Sequence, residues 1–188
     1  MVKAKTGRDL SLLECALLGL LRQAPSSGYD LRKVFALTPL VHFSDSPGAV
    51  YPALRRLERL GHLAPLATGA GGGRRRRPLR LTAPGRRALR LWLRKPVTRD
   101  DLAQAKDASM LRFAFMEETL GRRACVAFLV RYEAAVAAYL RELQDYRRAH
   151  LATFSFSGRL AFESGIEGFK ARRRWAKRAL RRAKEIEP

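Results

Sequence analysis

The sequence predicts a mainly helical protein with one small β-ribbon, divided into a basic N-terminal half and an all-helical C-terminal half. Three observations predict it. Apolar residues recur at spacings of three and four along most of the 188 residues, the period of a helix buried on one side. That period gives way to a candidate strand pattern in a Gly- and Arg-rich stretch between residues 62 and 81. Pro96-Val97-Thr98 then interrupts the pattern, and the charge balance changes there: residues 1–95 hold 19 Lys/Arg against 5 Asp/Glu, residues 96–188 hold 19 against 12.

Residues 1–10 read as a flexible arm, with Lys3, Lys5 and Arg8 available to phosphates and equally suited to a solvated terminus. Ser11 with Glu14 three residues later is a capping box. It opens a core helix through Leu12, Leu13, Ala16, Leu17, Leu20 and Leu21. The linker Ala24-Pro25-Ser26-Ser27-Gly28 is rich in turn residues. Ser27 with Asp30 opens a second helix, buried through Tyr29, Leu31, Val34, Phe35 and Leu37 and ending by Thr38-Pro39. A loop anchored by Phe43 leads to the third helix, residues 46–60.

That third helix has its own punctuation. Ser46 suits the N-cap, Pro47 the first helical position, and Gly61 the left-handed residue after the end. Val50, Leu54, Leu57 and Leu60 share one face, and Tyr51, Arg55, Arg56 and Arg59 occupy the other. A short helix that is apolar on one side and cationic on the other fits a DNA major groove, although an ordinary surface helix has the same pattern.

Residues 62–68 and 75–81 read as two short strands around Gly69-Ala70-Gly71-Gly72-Gly73, with Pro65 and Pro78 restricting them to an edge ribbon. Arg74, Arg75, Arg76 and Arg77 rise from the turn. Three helices followed by such a ribbon make a winged helix-turn-helix, whose wing reaches a phosphate backbone or a minor groove. Thr82 caps a fourth helix with Ala88, Leu89, Trp92 and Leu93 on its apolar face, completing a DNA-binding domain over residues 11–95.

Residues 99–188 read as three amphipathic helices: one from Asp100 to about Glu118, one from about Arg122 to His150, and one from about Gly158 to Lys184. Leu160, Ile166, Phe169, Trp175 and Leu180 are the buried candidates of the last. Their long apolar stripes exceed what one thin layer hides, which predicts a dimerisation region using Phe128, Tyr132, Tyr139, Leu143, Phe169 and Trp175. Trp92, Trp175, Phe113, Phe169 and Tyr139 are also the aromatic positions for a ligand cavity, with plain core the weightier reading.

A net charge of +21 and a pI near 11.4 make nucleic acid the first partner to consider. Cys15 and Cys125 lie in apolar patterns as structural thiols, and His42, His62 and His150 are isolated, so no metal is expected. No Gly-rich loop has the strand and Lys-Ser/Thr context of a phosphate cradle, and no cofactor or enzymatic activity is expected. The polar start and the lack of a ~20-residue apolar run predict a cytoplasmic protein without stable membrane association.

Leu12-Leu13-Glu14, Ser27-Gly28-Tyr29-Asp30-Leu31, Ser46-Pro47-Gly48, Tyr51-Pro52, Leu54, Arg56-Leu57-Glu58, Gly61 and Leu81-Thr82 with Gly85 resemble the PadR family of bacterial transcriptional regulators over roughly residues 11–94. Pro78-Leu79 departs from the family's pattern of a β-branched residue and Tyr in the second wing strand. The resemblance implies a homodimer placing two recognition helices in successive major grooves of a pseudo-palindromic operator, repression more often than activation, and in some members a small aromatic effector. It assigns phosphate contact to Tyr51 and backbone or minor-groove contact to the wing arginines. From the residues themselves, Arg55, Arg56 and Arg59 lie near the DNA, with pairing to Glu58 or a neighbouring acid the alternative for Arg56 and Arg59, and Ser46 and Gly48 offer backbone N–H groups to a phosphate. The alternative is an architectural or RNA-associated polyanion binder without sequence preference, whose best support is the basic run at residues 172–184; that run also suits an anionic membrane surface, with a solvated outer face of the last helix the weightier reading.

Overall fold

The computed structural model describes residues 9–38, 48–66, 77–103 and 108–185, and the chain forms two compact units, Met1–Lys95 and Pro96–Pro188. The first is a winged helix-turn-helix; the second is entirely helical.

In the first unit α1 (Leu12–Gln23) begins at Ser11, whose hydroxyl accepts from the Glu14 backbone while the Glu14 carboxylate accepts from Ser11 N at 2.8 Å. Residues Leu13 through Gly19 are all buried, because α1 packs against α3, α4 and the ribbon at once. Helix α2 (Gly28–Leu37) starts at Ser27, whose hydroxyl accepts from Asp30 N and donates to the Asp30 carboxylate at 2.6 Å. Leu31 and Phe35 are buried. Tyr29 and Leu37 are exposed, contrary to the sequence reading: one lies in the first turn and the other closes the helix, and the core contact falls on the turns between them.

Helix α3 runs Val50–Arg59, later than the expected start, and its N-cap residue Ala49 makes no side-chain cap; Ser46 and Pro47, like Phe43, lie outside the described residues. Its end follows the sequence closely. Gly61 takes φ 70°, Gly61 N donates to Glu58 O and His62 N to Leu57 O, the two bonds of a Schellman turn. Leu60 leaves the apolar face and is 43% exposed, because as the C-cap it has already turned off the helical path, with ψ −1°. Val50, Leu54 and Leu57 remain buried.

Strands β1 (Leu63–Pro65) and β2 (Leu79–Leu81) pair antiparallel with Leu63 opposite Leu81. Pro65 sits on β1, the free edge, where its missing N–H costs no ladder bond. The other edge is covered by the linker before α2: Ser26 N donates to Leu79 O at 3.2 Å and Leu79 N to Ser26 O at 2.9 Å. Helix α4 (Ala83–Leu93) is capped by Thr82, whose hydroxyl accepts from Gly85 N and lies 2.6 Å from Gly61 O. Gly85 is there because a Cβ would stand 2.1 Å from His62 O.

In the second unit the described part of the expected helix over residues 100–118 comprises α5 (Arg99–Ala103), α6 (Ala108–Ala114) and α7 (Glu117–Leu120), with a turn at Phe115–Met116 between the last two. Its apolar residues cover more than one face, and a straight helix cannot bury them together. The turn lets Phe115 and Met116 reach the interior together with Leu102 and Leu111. The turn into α5 is itself a capping box of Thr98 and Asp101. Helix α8 (Arg122–His150) follows, then a 3₁₀ turn (Leu151–Thr153), then α9 (Phe156–Glu185), which starts two residues ahead of the expected Gly158. The two long helices form an antiparallel hairpin with Tyr139 against Phe169 and Tyr146 against Phe162. Ile166 is buried and Phe169, Trp175 and Leu180 are partly buried, whereas Leu160 is exposed.

Candidate nucleic-acid interface

Helix α3 has one face fixed in the core and one open. Val50, Leu54 and Leu57 dock it against α1 and α2, and the Schellman turn runs from its end directly into β1. Tyr51, Arg55 and Arg59 stand on the exposed side. The Tyr51 ring lies over the first turn of α2, close enough that a Cβ on Gly28 would meet its Cε1 at 2.9 Å, so Gly28 is what lets α2 and α3 approach. Gly48 lies two residues ahead of the helix and is exposed.

Arg56 differs from its neighbours. Its Nη1 lies 2.5 and 2.6 Å from the two carboxylate oxygens of Glu14, 42 residues away, and the two side chains are 27% and 5% exposed. Glu14 therefore serves two partners, the N-terminus of α1 through Ser11 and the guanidinium of α3 through Arg56. The sequence reading placed Arg56 near the DNA or in a pair with a neighbouring acid; in the structure it pairs with Glu14, which holds α3 on α1. The capping box marked Glu14, but nothing in the sequence connected it to a residue two helices further on.

Beside this pair sits His62. Burial depresses its pKa below the ordinary histidine value, Arg56 pushes the same way, and Glu14 opposes them. Its buried Nδ1 has no hydrogen-bond partner among the described residues, which likewise disfavours the charged imidazolium.

Of the wing arginines, Arg77 is exposed just ahead of β2, and Arg74, Arg75 and Arg76 lie outside the described residues. Arg80, which the sequence reading did not single out, is exposed between the buried Leu79 and Leu81. The alternation Leu79-Arg80-Leu81 was the signal, since on a strand the middle side chain faces away from the core. Arg55, Arg59, Arg77 and Arg80 can form charge-assisted hydrogen bonds to phosphate or, for α3, pairs with guanine O6 and N7.

The side chains expected at a dimer interface belong to the second unit's own interior. Phe128 and Tyr132 are completely buried there, stacked at 6.0 Å, and Trp175 meets Tyr132 edge-on at 6.2 Å. Tyr139, Leu143, Phe169 and Trp175 are partly buried against the same core. Trp175 and Phe113 also line an open cavity of about 460 Å³. Trp92 is buried in the first unit. Among the described residues no group of three or more His, Cys, Asp or Glu could hold a metal, and no helix is long and apolar enough to cross a membrane.

Comparison with known proteins places residues 17–91 on the model of the transcriptional regulator PadR-like family. Similar solved structures include Bacillus subtilis PadR in complex with operator DNA (27% identity, TM-score 0.41, covering 91% of this chain and 98% of that one). They also include a PadR-like transcriptional regulator from Bacillus cereus (23%, TM-score 0.42, 93% and 99%). A third is Bacillus subtilis PadR in complex with p-coumaric acid (25%, TM-score 0.41, 92% and 99%). No curated protein matches the chain.

Proposed function

With residues 17–91 matching the PadR-like transcriptional regulators, we propose that the chain is a sequence-specific DNA-binding regulator, a homodimeric repressor acting on a pseudo-palindromic operator. The carrying observation is the division of α3: Val50, Leu54, Leu57 and Arg56 hold it, while Tyr51, Arg55 and Arg59 are left free on a rigidly seated helix. Base reading falls to Arg55 and Arg59 and phosphate contact to Tyr51, Gly48 and Ser46, with Arg74, Arg75, Arg76, Arg77 and Arg80 adding sequence-independent affinity. The domain spans residues 11–95 and the dimerisation region residues 99–188. The protein acts by binding rather than catalysis, in the cytoplasm.

Dimerisation through the second unit is supported by the apolar side chains left exposed around the turn of its hairpin, Tyr146, Leu151, Phe156 and Leu160. Phe128 and Tyr132 are already used within one protomer. A small aromatic effector fits the cavity beside Phe113 and Trp175, whose volume falls in the range of small-molecule sites.

Selection of bound duplexes from a random pool tests the reading. A motif with two-fold symmetry is expected, preferred over bulk DNA by on the order of 10³ or more. Uniform binding without a motif would overturn the regulator and leave the architectural alternative.

A further inference from the structure

The second unit carries a basic surface that neither the recognition helix nor the wing accounts for. Between residues 170 and 184 the chain has nine Lys/Arg and no acid. The α8–α9 hairpin arranges part of this run into a cleft of about 400 Å³ walled by Arg141, Gln144, Lys170, Arg173, Arg174 and Lys177.

These cations fall into two groups. Lys170 pairs with Glu167 at 2.8 Å, and Arg173 reaches across to Glu133 on α8 at 2.6 Å, with Lys177 4.0 Å from the same carboxylate. They tie α9 to α8. Among the described residues Arg141, Arg174, Arg178 and Arg181 form no salt bridge, and Arg174 meets the Glu167 carboxylate only at electrostatic range, behind Lys170. Arg174, Arg178 and Arg181 are exposed and follow one another at four and three residues, so they form a single row along α9. From Arg174 to Arg181 the row is about 10 Å long at 1.5 Å per residue, close to three phosphates of one DNA strand at 3.4 Å of axis each.

We propose that this row is a second DNA-backbone contact, separate from the winged helix and blind to sequence. The inference rests on DNA being the partner. A membrane surface fits less well, because an interfacial helix needs a free apolar face, and that of α9 is already spent on α8 through Ile166, Phe169 and Trp175. A second copy of the chain fits less well too, since like rows repel and the half that carries them is itself net positive.

The test uses the full-length chain, a duplex from its own upstream region and a scrambled duplex of equal length, titrated across KCl concentrations. The triple substitution Arg174→Ala, Arg178→Ala and Arg181→Ala should lower the magnitude of the slope of log K against log [KCl] by about 2 to 3, at about 0.9 for each phosphate no longer neutralised. The loss should be equal on both duplexes, leaving their affinity ratio unchanged, and the corresponding Arg→Lys triple should keep the slope. Should the alanine triple fail to fold, the Arg→Gln triple is read in its place. An unchanged slope with own-site preference intact would overturn this inference alone. A slope change without own-site preference in the wild type would overturn the regulator reading and leave the basic row standing. Anionic phosphatidylglycerol vesicles supply a third arm: vesicle binding abolished in the triple, with the DNA slope unchanged, would assign the row to lipid instead.

Discussion

Helices α3 and α9 are both arginine-rich and amphipathic, and they use arginine in opposite ways. In α3 one guanidinium of three is withdrawn into a nearly buried pair with Glu14, and the helix is held from below by α1, sideways by α2 and at its end by the Schellman turn. In α9 the paired residues lie on a half-exposed seam, where Glu133 is 20% and Arg173 41% exposed, and the aromatic contacts to α8 supply the attachment. A buried pair has displaced water from both ions, so removing one leaves a charge the interior cannot solvate. A seam pair is still screened by solvent. The same residue type is thus structural in one helix and nearly free in the other, and what separates them is the burial of the acid it meets.

The sharpest way to break this comparison is within α3 itself. Arg56→Ala should cost about 3 to 5 kcal/mol of stability by stranding Glu14, measured as the urea midpoint of the first unit. Arg55→Ala, one residue away, should change stability by less than about 0.5 kcal/mol and instead weaken operator binding by about 1 to 3 kcal/mol. Equal stability losses would mean that Arg56 is as free as its neighbour. On the α9 side, Glu133→Gln should cost only about 0.5 to 1 kcal/mol, read from the unfolding of the second unit. A loss matching that of Arg56→Ala would show the seam pair to be as desolvated as the buried one.

The smallest effect is a difference in acid sensitivity between the two units. His62 has a depressed folded-state pKa, chiefly from burial, so the unfolded chain binds its proton first. The first unit should therefore lose stability as pH falls below about 6.5, and His62→Gln should flatten that dependence. In the second unit, burial alone would raise the Asp101 carboxyl, but hydrogen bonds from Thr98 and the guanidinium of Arg112 together hold it below the usual range. Its contribution is complete above pH ~4 and is lost only as pH falls through the lowered value. Thermal melts at pH 7.5, 5.5 and 4 should show the first unit weakening before the second, and the reverse order would contradict the assignment.

Much of the architecture was readable because it depends on local chemistry. The Ser11–Glu14 box, the Ser27 and Thr82 caps and Gly61 each act within three or four residues, so the pattern of side chains already contained the geometry. The span Arg122–His150 followed in the same way from apolar period alone. The one-residue rung from Ser26 to Leu79 was hidden, since a single bridge leaves no alternation to detect. So was the turn at Phe115–Met116, where several faces were apolar and the period could not say which would turn inward.

For the candidate site, the amino-acid sequence by itself determined which residues share a face: Val50, Leu54 and Leu57 inward, Tyr51, Arg55 and Arg59 outward. Helical spacing fixes that before any other element is present. Only the tertiary structure decided that Arg56 leaves the open face, that Gly85 must lack a side chain beside His62 O, and that Phe128 and Tyr132 close a core within one protomer. Each depends on a partner 20 or more residues distant or on the burial of both groups. Those are properties of the packed chain, and no local pattern encodes them.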